Sequence, residues 1–91
     1  MPKVELAKKR GDVSDFVDAV IEDDGRLQVI RNSFGPGDYE TEVTAAVAKE
    51  DKDRLLLALL ERVFGGNLGA VEEFRDFARS KNIPVSWFRW P

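Results

Sequence analysis

Apolar and polar residues alternate most regularly between Tyr39 and Val47. One face carries the odd-numbered residues of this run, and the other carries Glu40, Glu42 and Thr44. A period of two residues is typical of a strand with one face against a core, and the β-branched residues in the run favour the same structure. The sequence therefore predicts a strand over residues 39–47.

A helix is predicted next, between the acidic residues of 50–53 and Gly65-Gly66. Its apolar residues recur at helical spacing: Leu55, Leu56, Leu59, Leu60, Val63 and Phe64. Because Leu57 and Ala58 widen the apolar surface beyond one side, this helix is expected either to lie between two layers or to contact something outside the fold. Burial inside the fold is the favoured interpretation.

A second helix is predicted after Asn67, a residue type that caps helices. The residues with helical spacing are Leu68, Val71, Phe74, Phe77 and Ala78. Asn82 favours a left-handed helix stop, and Pro84 prevents continuation of the helix. Residues 83–91 then predict a last strand that carries both tryptophans.

The region before residue 35 allows two interpretations. Val13, Phe16, Val17, Val20 and Ile21 fit helical spacing, whereas Asp23-Asp24-Gly25 is a strong turn followed by alternating residues. A hairpin with a turn ending on Gly25 sets Glu22 opposite Arg26, Ile21 opposite Leu27 and Ala19 opposite Val29. Since both charges and apolar residues match in this register, the hairpin is preferred.

Together these elements predict one α+β domain over residues 1–91. The expected fold is an antiparallel sheet of about four strands packed on two helices, in the order ββ-β-α-α-β. Residues 1–12 are expected to form a short strand, which would be a fifth, or a flexible arm.

The second half of the chain resembles a group of small uncharacterised bacterial proteins. The resemblance rests on the leucine-rich helix, the Phe64-Gly65-Gly66 break, the helix with Phe74 and Phe77, and the final Ile83-Pro84 strand. It implies a bacterial origin and supports the fold, and it implies no function.

Composition excludes several kinds of chemistry. The chain has no Cys and no His, which removes thiolate nucleophiles, disulfides, thiolate metal sites and imidazole relays. The acidic clusters match no metal-binding loop, and the glycine groups match no nucleotide-binding fingerprint. We expect no enzyme activity, no cofactor and no metal, and the start of the chain does not resemble a secretory signal, which favours the cytoplasm.

Charge is unevenly distributed along the chain. Residues 1–10 carry a net charge of +3, residues 11–53 carry −8 and residues 54–91 carry +2, which together give −3. An acidic middle argues against nucleic acid as a partner, because phosphate binding needs concentrated Lys and Arg. The mixture of apolar and charged residues also argues against a membrane span.

Aromatic residues supply the candidate contact surface. If the last strand faces the helices with Val85 and Trp87, its alternation places Phe88 and Trp90 on the outer sheet face or past the end of the strand. The hairpin register directs four further candidate residues to that face: Phe16, Ile30, Glu40 and Glu42. Exposed aromatic groups of this kind mark protein contacts, although the N-terminal segment or the loop around Phe34 could instead bury them.

The sequence thus predicts a non-enzymatic domain that binds protein, either a second copy as a homodimer or a different protein. One alternative is an inhibitor-like immunity or antitoxin protein whose acidic surface meets a basic partner. The other, less favoured, is a small enzyme that uses a carboxylate with Tyr39 or Lys.

Overall fold

The structure is a computed structural model that describes residues 2–90. Four strands form an antiparallel sheet in the order β1-β2-β3-β4, and a short 3-10 turn at Lys49–Asp51 leads into two helices. The elements are β1 (Lys3–Lys9), β2 (Ser14–Ile21), β3 (Leu27–Phe34), β4 (Glu40–Val47), α1 (Lys52–Phe64) and α2 (Ala70–Ser80). The prediction of an α+β class with a four-stranded antiparallel sheet and two helices is confirmed.

The hairpin of β2 and β3 has the register that its charges and apolar residues predicted. Ile21 pairs with Leu27 and Ala19 with Val29. In the turn, the Glu22 N–H donates to the Arg26 carbonyl at 2.8 Å. Gly25 has φ +92°, a backbone angle that residues with a side chain rarely adopt. The turn therefore depends on glycine at this position, and the helical interpretation of Val13–Glu22 is wrong.

The first segment of the chain is a strand rather than an arm. β1 pairs antiparallel with β2, with Val4 opposite Ala19 and Lys8 opposite Phe16. The register shifts between Glu5 and Ala7, which is a β-bulge. β1 therefore completes the four-stranded sheet, at one of its edges.

A strand over residues 83–90 is absent from the described part of the chain, so that prediction is wrong; Pro91 lies outside the described residues. The helix stop uses the amide of Ile83, which donates to the Ala78 carbonyl at 2.9 Å. Pro84 has no amide hydrogen to donate. Because no sheet edge pairs with this segment within residues 2–90, its alternating pattern does not become a strand.

Asn82 adopts the left-handed conformation predicted for it, with φ +58°. The bond from Ile83 to Ala78 and one from Asn82 N–H to the Arg79 carbonyl complete the helix stop. At its other end α2 begins later than predicted. Gly69 occupies the N-cap position, and the Asn67 side-chain oxygen accepts from the Gly69 N–H at 2.8 Å in a turn before the helix.

The described residues divide into two compact units, the first ending at Leu56 and the second starting at Leu57. We call them the sheet unit and the helical unit. In the sheet unit Val20 and Ser33 are buried, and the Ser33 hydroxyl donates to the Asp15 carboxylate. In the helical unit, within residues 57–90, only Ala78 is buried. The prediction of a single domain over residues 1–91 stays a prediction.

Candidate protein-binding surfaces

The sheet has one face with aromatic residues and charges, which we call the mixed face. Strand register places four of the six predicted site residues on it: Phe16, Ile30, Glu40 and Glu42. Phe34 joins them and meets Phe16 edge to face, with ring centroids 6.1 Å apart. Phe16 and Ile30 are half-buried in the middle of the sheet, and the two glutamates are exposed on β4. The mixed face therefore has a partly covered apolar centre and one acidic margin.

Phe88 and Trp90, the other two predicted site residues, are not on a strand. They lie in the C-terminal segment of the helical unit, where their exposed fractions are 78% and 84%. The predicted group of six is thus divided between the two units. Its role in an interface stays a prediction.

The opposite side of the sheet, which we call the aliphatic face, is more apolar. Its side chains come from all four strands: Val4, Ala7, Val17, Ala19, Ile21, Leu27, Val29, Val43, Ala45 and Val47. Val43 is 54% exposed and Val29 is 39% exposed. The alternation of β4 predicted the composition of this face. It did not predict the exposure, since a pattern of apolar residues does not state what covers them.

Apolar side chains are exposed throughout the helical unit. Within residues 57–90, eleven large ones are exposed: Leu57, Leu59, Val63, Leu68, Val71, Phe74, Phe77, Ile83, Trp87, Phe88 and Trp90. No residue of α1 is buried. Leu60 and Phe64 of α1 line an open apolar recess of about 280 Å³ together with Ala70, Val71 and Phe74 of α2. Helical spacing identified these residues in the sequence and favoured burial of the apolar side of α1. The structure instead leaves these side chains accessible.

The two tryptophans have different surroundings. The guanidinium carbon of Arg75 lies 4.3 Å from the centre of the Trp87 ring, a cation–π contact. Trp87 is thereby held against α2, and Val85 is half-buried on the same stretch. Within residues 2–90 no cation lies over the ring of Phe88 or Trp90, and both are far more exposed than Trp87, which is 44% exposed. The segment thus has an anchored ring and two accessible ones.

Asp24, in the turn between β2 and β3, has a carboxylate with two contacts to Arg26. The backbone N–H of Arg26 donates to the Asp24 carboxylate at 3.0 Å, and the Arg26 guanidinium lies 3.0 Å from the other carboxylate oxygen. The backbone hydrogen bond, followed by the arginine charge, lowers the pKa of Asp24. This is the role of a turn residue, since the Asp24 side chain is exposed at the protein surface.

Within residues 2–90, no three acidic side chains converge in the manner of a metal site. In the same range, no helix has the length and apolar character needed to cross a membrane.

Comparisons with known protein families, with curated proteins and with solved structures find no match. The resemblance to small uncharacterised bacterial proteins stays a prediction.

Proposed function

We propose that this chain is a non-enzymatic protein-binding domain and that its partner is a second copy of itself. The observation that carries the proposal is the exposed apolar surface of the helical unit, with Phe88 and Trp90 as its most exposed aromatic residues. Water-exposed apolar surface of this extent marks protein contacts. The proposal keeps the setting expected from the sequence, the cytoplasm of a bacterium.

The area of the exposed aromatic side chains supports a contact of the size found in stable dimers. The five exposed aromatic residues of the helical unit together expose roughly 600 Å² if a whole aromatic side chain is worth about 200 Å². A standard interface buries about 800 Å² per partner, and the exposed leucines and valines of α1 provide the remainder. Phe88 and Trp90 belong to the residue types that dominate binding energy.

Charge supports a second copy as the occupant. Residues 57–91 carry five basic and four acidic side chains, a net charge of +1. Two such surfaces repel each other little, and neither selects a strongly charged partner. Interfaces of homodimers are more apolar than those of transient complexes, and the exposed surface of the helical unit is apolar in the same way.

Trp90→Ala and Phe88→Ala test this proposal. Each removes an exposed ring, so we expect each to raise the dimer dissociation constant by about tenfold to hundredfold while the circular dichroism spectrum stays unchanged. Molar mass by light scattering after size exclusion measures the effect. Val13→Ala is the control, because Val13 is an apolar residue with 39% exposure in the sheet unit, outside the helical surface and outside β4.

Three outcomes would contradict the proposal. One is a wild-type chain that stays monomeric at every concentration. Another is that Trp90→Ala and Phe88→Ala dimerise as tightly as the control variant. The third is Trp90→Ala unfolding the chain, which would make that ring part of the core. If the monomeric chain instead captures a basic protein in a salt-sensitive way, the immunity or antitoxin alternative takes its place.

A further inference from the structure

The two edges of the sheet differ in how they are protected against pairing. β1 and β4 are the edge strands, and both are exposed along nearly their whole length. An exposed edge strand presents unpaired N–H and C=O groups that can accept another strand. Proteins block such edges with lysines, bulges or proline.

The β1 edge carries two of these protections. Lys3, Lys8 and Lys9 place positive charge along it, and the bulge between Glu5 and Ala7 interrupts its regular backbone. The β4 edge carries none of them. It pairs with β3 without a register shift, and residues 43–48 contain no charge, no proline and no glycine. The sheet thus has one protected edge and one open edge.

The open edge presents a defined set of backbone groups. The Gly35 N–H donates to the Tyr39 carbonyl at 3.0 Å at the start of the β3–β4 hairpin. Residues bonded to the neighbouring strand alternate with residues whose groups point away from it. Thr41, Val43, Ala45 and Val47 therefore bond to β3, and the backbone groups of Glu40, Glu42, Thr44 and Ala46 point outward.

We infer that β4 of one copy pairs antiparallel with β4 of a second copy, about a twofold axis near Thr44. This inference rests on the proposed self-association and adds the place where the two copies join. In this register Thr44 faces its own counterpart and Glu42 faces Ala46, so the outward groups meet as hydrogen-bonded pairs. The resulting sheet has eight strands, with the aliphatic faces of both copies on one side.

Charge favours a second copy in this position. The twofold register keeps the Glu42 residues of the two copies apart and brings the Glu40 end of one strand to the Lys49 end of the other. Like charges directly opposite would destabilise the pair, and opposite charges stabilise it. Pairing of β4 with the β1 edge of another copy would leave open edges and continue into a filament. The lysines and the bulge of β1 oppose that arrangement.

Amide hydrogen exchange on the wild-type chain tests the inference without any substitution. The outward N–H groups of Glu42, Thr44 and Ala46 should exchange at least roughly tenfold more slowly than the outward N–H groups of Glu5 and Lys8 on β1. The β1 amides are the internal control, because both strands are exposed edges of the same sheet. Equal exchange on both edges at concentrations where the chain is dimeric overturns the inference.

Two variants test the same strand by molar mass. Thr44→Lys places two ammonium groups opposite each other. Ala46→Pro removes an outward N–H that faces no neighbouring strand within residues 2–90. We expect each to raise the dimer dissociation constant by about tenfold to hundredfold. Thr44→Val keeps the strand propensity and the backbone groups, so it should dimerise like the wild type.

The outcomes separate this inference from the proposed function. If Trp90→Ala weakens the dimer while both β4 variants leave it intact, the helical surface binds and the β4 contact is wrong. If the wild-type chain is monomeric, both proposals fail. A molar mass that rises without limit contradicts the twofold contact, because a twofold contact closes at two copies.

Discussion

The pKa of Asp24 is lowered by contacts within the turn between β2 and β3. Its carboxylate accepts the Arg26 amide and lies beside the Arg26 guanidinium. Both contacts favour the ionised form and lower the pKa of Asp24. The turn between β2 and β3 is therefore coupled to pH through a surface carboxylate rather than through a buried group.

A pH dependence follows from this shift. Because the folded pKa lies below the unfolded value, the stabilisation is present above the unfolded pKa and is lost as the pH falls through the folded pKa. We expect Asp24→Ala to unfold at a lower temperature than the wild type at pH 7. The difference should disappear in strong acid, where the wild-type carboxyl is protonated.

Thermal unfolding followed by circular dichroism at both pH values measures this difference. Asp23→Ala is the control, because no hydrogen bond or ion pair of the Asp23 side chain is found within residues 2–90. A difference for Asp24→Ala that persists unchanged in strong acid would contradict the coupling.

Phe88 and Trp90 mark the limit of what residue patterns could predict about the site. Their residue types indicated a contact surface, and both are exposed. Their position was wrong, because a strand forms only where an edge is available to pair with it. An alternating pattern predicts which residues share a face of a strand. It does not predict which other strand will pair with it, because that depends on the folded chain.

The C-terminal end of α2 is the feature that the sequence predicted most closely. Asn82 adopts the left-handed backbone expected from its residue type, and the amide of Ile83 returns to the Ala78 carbonyl. These interactions are local, so they follow from a few neighbouring residues. The β2–β3 register was predictable for a related reason, since a short turn and matched cross-strand pairs fix it together.

A substitution series at residue 82 tests this helix stop. Asn82→Gly should leave the free energy of unfolding nearly unchanged, because glycine adopts positive φ without steric cost. Asn82→Val should lower it by about 1–2 kcal/mol, because a β-branched side chain clashes in the left-handed region, which Asn tolerates. Urea unfolding at one fixed protein concentration measures both, and equal stability of the two variants would contradict the assigned conformation.

Edges and exposed faces were less predictable than the C-terminal end of α2. The bulge in β1 and the even pairing of β4 depend on how neighbouring strands meet, and neither is visible in the pattern of one strand. The exposure of α1 has the same origin, since a leucine-rich run predicts burial without identifying what buries it. Such features follow from contacts between elements, which no single element encodes.

At the scale of the whole molecule, charge and apolar surface are separated along the chain. Residues 1–56 carry nine basic and thirteen acidic side chains, a net charge of −4, whereas residues 57–91 carry +1. The larger set of exposed apolar residues belongs to the nearly neutral part. The proposed self-association through that part would bring apolar surfaces together with little electrostatic cost.

The most direct test of this account is the molar mass of the wild-type chain across a concentration series, by light scattering after size exclusion at low and at high salt. The account predicts twice the chain mass of 10.3 kDa at high concentration, and high salt should preserve the dimer because apolar contacts are not screened. A mass of 10.3 kDa at every concentration, or a dimer that dissociates in high salt, would contradict it.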